Sequence, residues 1–218
     1  MRQIYLVVEF LILFFILPVS AAFFIPPSFL FPGLLCFTLF GIILLQITST
    51  FRWRSLWQDC TKFDWKALGW FSLFCLLIFS LITFLLIPEH FYDLPNHSLK
   101  LWILIMIAYP IISALPQELI FRPLFFIRYK SIFPNKKYLV IINAIVFCLA
   151  HLFYWNLVAI TITFLGGLVF AYIYKKNRNF LEIVMYHSVG GCIIFTTGLG
   201  RFFYSGAIQW STTKPNIY

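Results

Sequence analysis

The chain has 218 residues, of which 62% are hydrophobic and 11% are charged. Soluble globular proteins carry about 25% charged residues, so this chain has too little polar surface to face water on every side. The composition therefore excludes a soluble globular protein, a disordered chain and a secreted disulfide scaffold. It predicts an all-α fold, a polytopic bundle of transmembrane helices.

Seven apolar segments are predicted to span the bilayer, because a membrane helix needs about 20 mostly apolar residues. In chain order they cover residues 4–24, 28–48, 68–87, 101–128, 138–154, 156–174 and 180–198. The fourth contains Pro110 and Pro116, which predict a kink because proline breaks the helical hydrogen-bond ladder. The first ends in a sequence that resembles a signal-peptide cleavage site, but its long apolar run and Glu9 favour a retained span.

Basic residues alternate between the connecting loops. Three loops are rich in Lys and Arg, and the loops between them are nearly free of both. Since basic loops stay in the cytoplasm, the pattern predicts a cytoplasmic N-terminus and an external tail at 201–218. The net charge of +9 then reflects membrane topology, and no nucleic-acid partner is predicted. The residues that set this pattern are Arg52, Arg54, Lys62 and Lys66; Arg128, Lys130, Lys136 and Lys137; and Lys175, Lys176 and Arg178.

The cysteines are predicted to be small buried apolar residues without disulfides or a metal site, because four of the five lie in apolar runs and none forms a C-x-x-C pair. They are Cys36, Cys60, Cys75, Cys148 and Cys192.

Four ionisable residues lie inside the predicted spans, namely Glu118, Arg122, His151 and His187. A charged group at the bilayer centre costs about 2.5–3.5 kcal/mol on insertion scales, so each such residue needs a partner or a function. Helix rise places Glu118, His151 and His187 roughly 15, 20 and 10 Å from the basic ends of their spans. Three helices thus bring a carboxylate and two imidazoles to similar depths, which predicts one shared site.

Residue types alone leave several chemistries open for this site. A carboxylate or imidazole can take a proton from water in hydrolysis. The same three side chains can instead hold a metal ion that activates the water. A proton relay through a transporter is the third reading. The plain structural reading is an internal ion pair between Glu118 and Arg122, which share one helix face.

Three local motifs favour one of these readings. Gln117-Glu118-Leu119-Ile120-Phe121-Arg122 resembles the E-E-x-x-x-R motif of the CPBP family, the CAAX proteases and bacteriocin-processing enzymes also called Abi proteins. The segment from Phe147 to His151 matches the family's F-x-x-x-H. The segment from His187 to Gly191 resembles its H-x-x-x-N without the final Asn. The resemblance divides the chain into N-terminal spans over 1–100, a catalytic core over 101–200 and the tail.

The resemblance implies an intramembrane endopeptidase that cuts membrane-associated peptides or proteins in a bacterial inner (plasma) membrane. Glu118 and His151 would form the acid/base pair, Gln117 would position the water and Arg122 would orient the carboxylate. His187 would bind the oxyanion. This mechanism requires no cofactor; the alternative is a divalent metal such as zinc, held by Glu118, His151 and His187. The site is expected in a cavity that opens toward the cytoplasmic half of the bilayer.

Two positions depart from the family pattern. Gln117 replaces the first glutamate, and an amide cannot act as a general base, although it can hold a water. Gly191 lacks a side chain that could bind an oxyanion, so Ser188 or a backbone amide near Gly190 would have to substitute. These departures keep a second reading open, a catalytically silent membrane scaffold or chaperone of the same family. A transporter ranks last, because the sequence has no two related halves.

Overall fold

The computed structural model describes residues 2–58, 63–133 and 135–203, and within these ranges all regular secondary structure is helical. Five helices are long and apolar enough to cross a membrane, and two further apolar helices are shorter. This confirms the all-α polytopic bundle. Cys60, Lys62 and the tail beyond residue 203 lie outside the described residues. The helices are α1 Gln3–Phe24, α2 Leu30–Gln46, α3 Trp65–Leu86, α4 Leu99–Ile132, α5 Leu139–Tyr154, α6 Leu157–Asn177 and α7 Phe180–Thr197.

Polar side chains cap the start of three of these helices. The side chains of Asp64, Asn156 and Asn179 accept hydrogen bonds from backbone amides in the first turns of α3, α6 and α7. Such caps satisfy amides that have no partner within the helix. The carboxylate of Glu182 accepts a hydrogen bond from the Asn177 side chain at 2.8 Å. Glu182 therefore stabilises the junction between α6 and α7.

Proline reshapes α1 and α4. The π-helical stretch Ile12–Ile16 comes just before Pro18, and α4 has π-helical stretches at Pro110–Ala114 and Ile120–Tyr129. Proline has no amide proton and its ring crowds the carbonyl four residues earlier, and a wider turn accommodates both effects. The kink predicted for α4 is thus a change of helical pitch on either side of Glu118.

Apolar side chains cover the outside of the bundle, while aromatic rings fill its interior. Phe24 and Trp70 are 83% and 72% exposed, as expected for side chains that face lipid. In the interior, Phe121 contacts Phe14 and Phe147 with ring centroids 5.7 and 5.1 Å apart, both edge to face. These contacts pack α1, α4 and α5 around the motif residues.

A largely buried ion pair joins α1 to α4. Glu9 accepts two hydrogen bonds from Arg128 at 2.6 and 2.8 Å and one from Tyr129 at 2.5 Å. Arg128 also donates to Thr48 Oγ1 at 2.9 Å, just beyond α2. The charge of Glu9 is therefore neutralised inside the protein.

The two ends of the bundle differ in charge. We call the end that carries the Lys- and Arg-rich loops the basic end. The opposite end, here the far end, consists of the connections 25–29, 87–98, 150–156 and 198–203. Hydrogen bonds join these connections to one another and to the neighbouring helix ends: Trp155 donates to the Ala22 carbonyl at 2.8 Å, Asn156 to that of Phe202 at 2.9 Å, and the Tyr92 amide to that of Thr197 at 3.2 Å.

Candidate active site

A fully buried ion pair lies at the centre of the site. Glu118 and Arg122 are both 0% exposed, and Arg122 Nε lies 2.8 Å from Glu118 Oε2. A second guanidinium nitrogen donates to Glu118 Oε1 at 3.4 Å. The guanidinium also packs over the Phe147 ring at 5.0 Å. The pairing that the four-residue spacing predicted is therefore present, within a low-dielectric interior that strengthens it.

Asn143 completes the surroundings of Arg122, and sequence reasoning missed it. Its side-chain oxygen accepts a hydrogen bond from Arg122, and its amide donates to the Phe121 carbonyl at 2.7 Å. Asn143 precedes Phe147 and His151 by one and two helical turns, so all three lie on one face of α5. That spacing was the available signal in the sequence.

His187 joins α7 to the ion pair. Its Nδ1 donates to Glu118 Oε1 at 2.7 Å, and its ring stacks on Phe170 with centroids 5.3 Å apart. In a neutral imidazole that donates from Nδ1, the Nε2 atom is an acceptor. The structure thus brings together Glu118, Arg122 and His187, as the sequence predicted.

Tyr109 occupies the remaining nitrogen of His187, and the sequence did not single it out. Its hydroxyl lies 3.0 Å from His187 Nε2 and donates to it. A Cβ atom at Gly191 would collide with the Tyr109 ring and hydroxyl. Gly191, one turn after His187, therefore keeps open the space that Tyr109 fills, and the tyrosine hydroxyl takes the position left without a side chain at 191.

His151 follows the α-helical part of α5, in the turn that leads to Tyr154. Its Nδ1 donates to the Phe147 carbonyl at 2.7 Å, which leaves Nε2 with a free lone pair. The Phe147 ring contacts both imidazoles, with centroids 4.7 Å from His151 and 5.6 Å from His187. His151 is therefore linked to His187 by the Phe147 ring, which packs against both.

Gln117 and Glu118 point to different surroundings. The Gln117 amide donates to Ser113 Oγ at 2.9 Å, and its buried Oε1 has no hydrogen-bond partner. Glu118 remains turned toward Arg122 and His187, so the pitch change in α4 does not move it into the position of Gln117. The Ser188 hydroxyl is likewise buried without a hydrogen-bond partner.

A large cavity connects several of these side chains. Its volume is about 1220 Å³ and most of its wall is apolar. Glu118, Arg122 and Ser188 lie behind this wall, so Ser188 is not placed to bind a ligand in the cavity. The polar positions of the site that do line it are Tyr109, Ser113, Gln117, His151 and His187, with Gly190 and Gly191 beside them.

The cavity opens at the far end of the bundle and toward lipid. Its wall includes His90, Asp93 and Arg201 from far-end connections, and none of its residues belongs to a basic loop. Its rim includes Phe74 and Ile112, which are 63% and 54% exposed. The expected opening toward the basic half is therefore wrong. The reason is that Tyr109 and Gln117, which line the cavity, come earlier in α4, whereas the buried rings of Phe125 and Tyr129 later in α4 fill its basic end.

The donors proposed for a metal do not converge. Both nitrogens of His187 are engaged, by Glu118 and Tyr109, and His151 is bonded to the Phe147 carbonyl. Over the described parts of the chain, no group of three His, Cys, Asp or Glu side chains is arranged to hold a metal ion. These residues therefore do not fit the zinc site that was the alternative to the cofactor-free mechanism.

The two adjacent glycines of α7 provide a test of the Tyr109 packing. We expect Gly191→Ala to lower the free energy of unfolding by about 1–3 kcal/mol, the usual cost of overpacking, because its methyl collides with Tyr109. Gly190→Ala is the matched control, since its methyl would lie 3.6 Å from the nearest Phe71 atom. Thermal unfolding in detergent measures both. Equal melting temperatures would contradict the packing, and Tyr109→Ala should relieve the Gly191→Ala defect.

Comparison with known proteins identifies one family. Residues 98–193 match the family described as type II CAAX prenyl endopeptidase Rce1-like. The match includes Tyr109, all three motifs, and the Glu118–His187 pair. No curated protein and no solved structure matches the chain. Residues 98–193 are therefore similar to the Rce1-like type II CAAX prenyl endopeptidases of the CPBP family.

Proposed function

We propose that the protein is an intramembrane endopeptidase that hydrolyses peptide bonds in membrane-associated peptides or proteins. The observation that carries the proposal is the lipid-accessible cavity with His151, Gln117 and Tyr109 on its wall. The similarity of residues 98–193 to the Rce1-like family supports the reaction class. Hydrolysis in such a cavity needs a base, a held water and a donor for the oxyanion, and these side chains supply the three functions.

His151 is the base in this proposal. Its Nε2 carries a free lone pair, because Nδ1 is engaged with the Phe147 carbonyl. Gln117 Oε1 is an unpaired buried acceptor and suits a water O–H group. His151 takes one proton from the water, and the resulting hydroxide attacks the substrate carbonyl carbon. When the C–N bond breaks, His151 returns the proton to the leaving amine.

Tyr109 and His187 form the second polar part of the proposed site. As the carbonyl oxygen becomes negative, the Tyr109 hydroxyl turns from His187 Nε2 and donates to it. This gives Tyr109 the oxyanion role that a side chain at Gly191 would otherwise have. Glu118 lies behind the cavity wall, so we assign it a positioning role: it holds the His187 ring, and Arg122 balances its charge.

The shape and lining of the cavity favour an apolar peptide. Its volume of about 1220 Å³ exceeds that of most small-molecule pockets, which reach about 1,000 Å³. An extended apolar segment can enter from lipid without exposing its side chains to water. The substrate we propose is therefore a membrane-anchored chain with apolar residues beside the cleaved bond.

A catalytically silent scaffold is the second candidate, and Gln117 is the observation that favours it. The motif has lost one of its two carboxylates, and the remaining one is paired behind the cavity wall. A scaffold would use the same cavity to bind an apolar segment without cutting it.

The deciding experiment compares the N-termini of membrane proteins from cells that express the wild type or His151→Gln. For a protease, we expect new N-termini with the wild type that are missing with the variant at equal expression. Their sequences would name the substrate. If wild type and variant give the same N-termini, the protease proposal is wrong and the scaffold remains.

A further inference from the structure

The distribution of charge indicates which side of the membrane the cavity faces. Among the described residues, ten Lys and Arg residues belong to the three basic-end connections or to the helix ends beside them. Within the described residues, the far-end connections contain one Lys or Arg, which is Arg201, and Lys100 lies next to them at the start of α4. Loops of this length that are rich in Lys and Arg remain in the cytoplasm. The basic end is therefore the cytoplasmic end.

The cavity is confined to the opposite half. Residues from all four far-end connections line it, one from each being Phe29, Asp93, Tyr154 and Arg201. Toward the basic end its wall stops within the spans, for example at Phe40 of α2 and Phe71 of α3. Phe125 and Tyr129, both 0% exposed, fill the core between the cavity and the basic loops.

We infer that the cavity admits apolar peptide segments from the extracytoplasmic side and from the lipid of that leaflet. This inference names the side and substrate class of the site, and its catalytic part rests on the proposed function. The substrates are then membrane-anchored chains that have already been translocated. Segments that remain on the cytoplasmic surface cannot reach Gln117 or His151 without crossing the filled core.

Thiol labelling tests the orientation without any need for activity. In a variant whose native cysteines are replaced by alanine, one cysteine is introduced by His97→Cys at the far end or by Lys176→Cys at the basic end. Both native side chains are exposed. We expect a membrane-impermeant maleimide added to intact cells to label His97→Cys, and Lys176→Cys only after lysis. The reverse pattern would overturn the inference.

Photocrosslinking tests entry into the cavity. The probe is a short Leu- and Phe-rich peptide with a photoreactive group and a sulfonated head that cannot cross the bilayer. We expect it to crosslink to the protein in right-side-out vesicles and not in inside-out vesicles. Crosslinking only in inside-out vesicles, or in neither preparation, would overturn the inference.

Two glycine variants distinguish the cavity from the rest of the lipid-facing surface. Gly33 lines the cavity and Gly69 does not, and a Cβ at either position meets no atom within 4 Å. Gly33→Trp should therefore reduce crosslinking severalfold, and Gly69→Trp should leave it unchanged; equal effects would contradict entry through the cavity. Crosslinking needs no cleavage, so entry with no cleavage of any peptide would count against the protease proposal alone.

Discussion

His151→Gln is expected to lower kcat for peptide hydrolysis by about 10²–10⁴-fold, the usual contribution of a positioned general base. Glutamine keeps a polar side chain near the end of α5 but has no nitrogen that can accept a proton from water. Since the imidazole serves the chemical step, KM should change little. The measurement is steady-state hydrolysis of a substrate identified from the new N-termini, with purified protein in lipid vesicles.

The matched control is His97→Gln in a far-end connection. The His97 side chain is 75% exposed, its Nδ1 lies 2.8 Å from Asp93, and His97 is not part of the cavity wall. It should retain wild-type kcat. If His151→Gln keeps its rate within a factor of ten, or if it changes KM alone, His151 is not the base and the proposed mechanism fails.

Arg122→Met is expected to lower the free energy of unfolding by about 3–5 kcal/mol, because it leaves the buried carboxylate of Glu118 without its counter-ion. Methionine preserves much of the apolar volume between Phe147 and Phe170, so the loss reports charge and hydrogen bonding. Asn143 also loses its donor. Unfolding in detergent, followed by circular dichroism, measures the change.

A double variant separates the missing charge from lost packing. Glu118→Gln in the Arg122→Met background removes the uncompensated carboxylate and should recover part of the lost stability. Arg54→Met is the control, since Arg54 is exposed at the basic end and its loss should cost less than about 1 kcal/mol. Equal destabilisation by Arg122→Met and Arg54→Met would show that the buried pair does not hold the site together.

The motif residues could be predicted because the membrane penalises isolated charge. Glu118, Arg122 and His187 are costly inside a span unless they meet, and four-residue spacing and helix depth indicated that they do. His151 was predicted on the same grounds, but its link to the site runs through Phe147. Periodicity describes which face of a helix a residue occupies, and it contains no information on which ring lies between two helices.

Tyr109 could not be predicted, because its role depends on a residue far along the chain. Its ring fits against α7 only because position 191 has no Cβ. From the sequence, Gly191 indicated only that a side-chain hydrogen-bond donor is absent at this position. The packing of α4 against α7 shows that the Tyr109 hydroxyl lies there instead. Restoring Asn at 191 in this chain would therefore require the removal of the Tyr109 ring as well.

The sequence by itself determined the membrane bundle, its seven segments, the basic end and the residues of the motifs, because each of these follows from transfer energies, helix length and local spacing. The tertiary structure alone decided which of these residues face the cavity and at which end that cavity opens. Those properties depend on how α4 and α7 pack against one another and on the aromatic rings that close the basic half. Such contacts join residues that are distant in the chain, and a local sequence pattern cannot predict them.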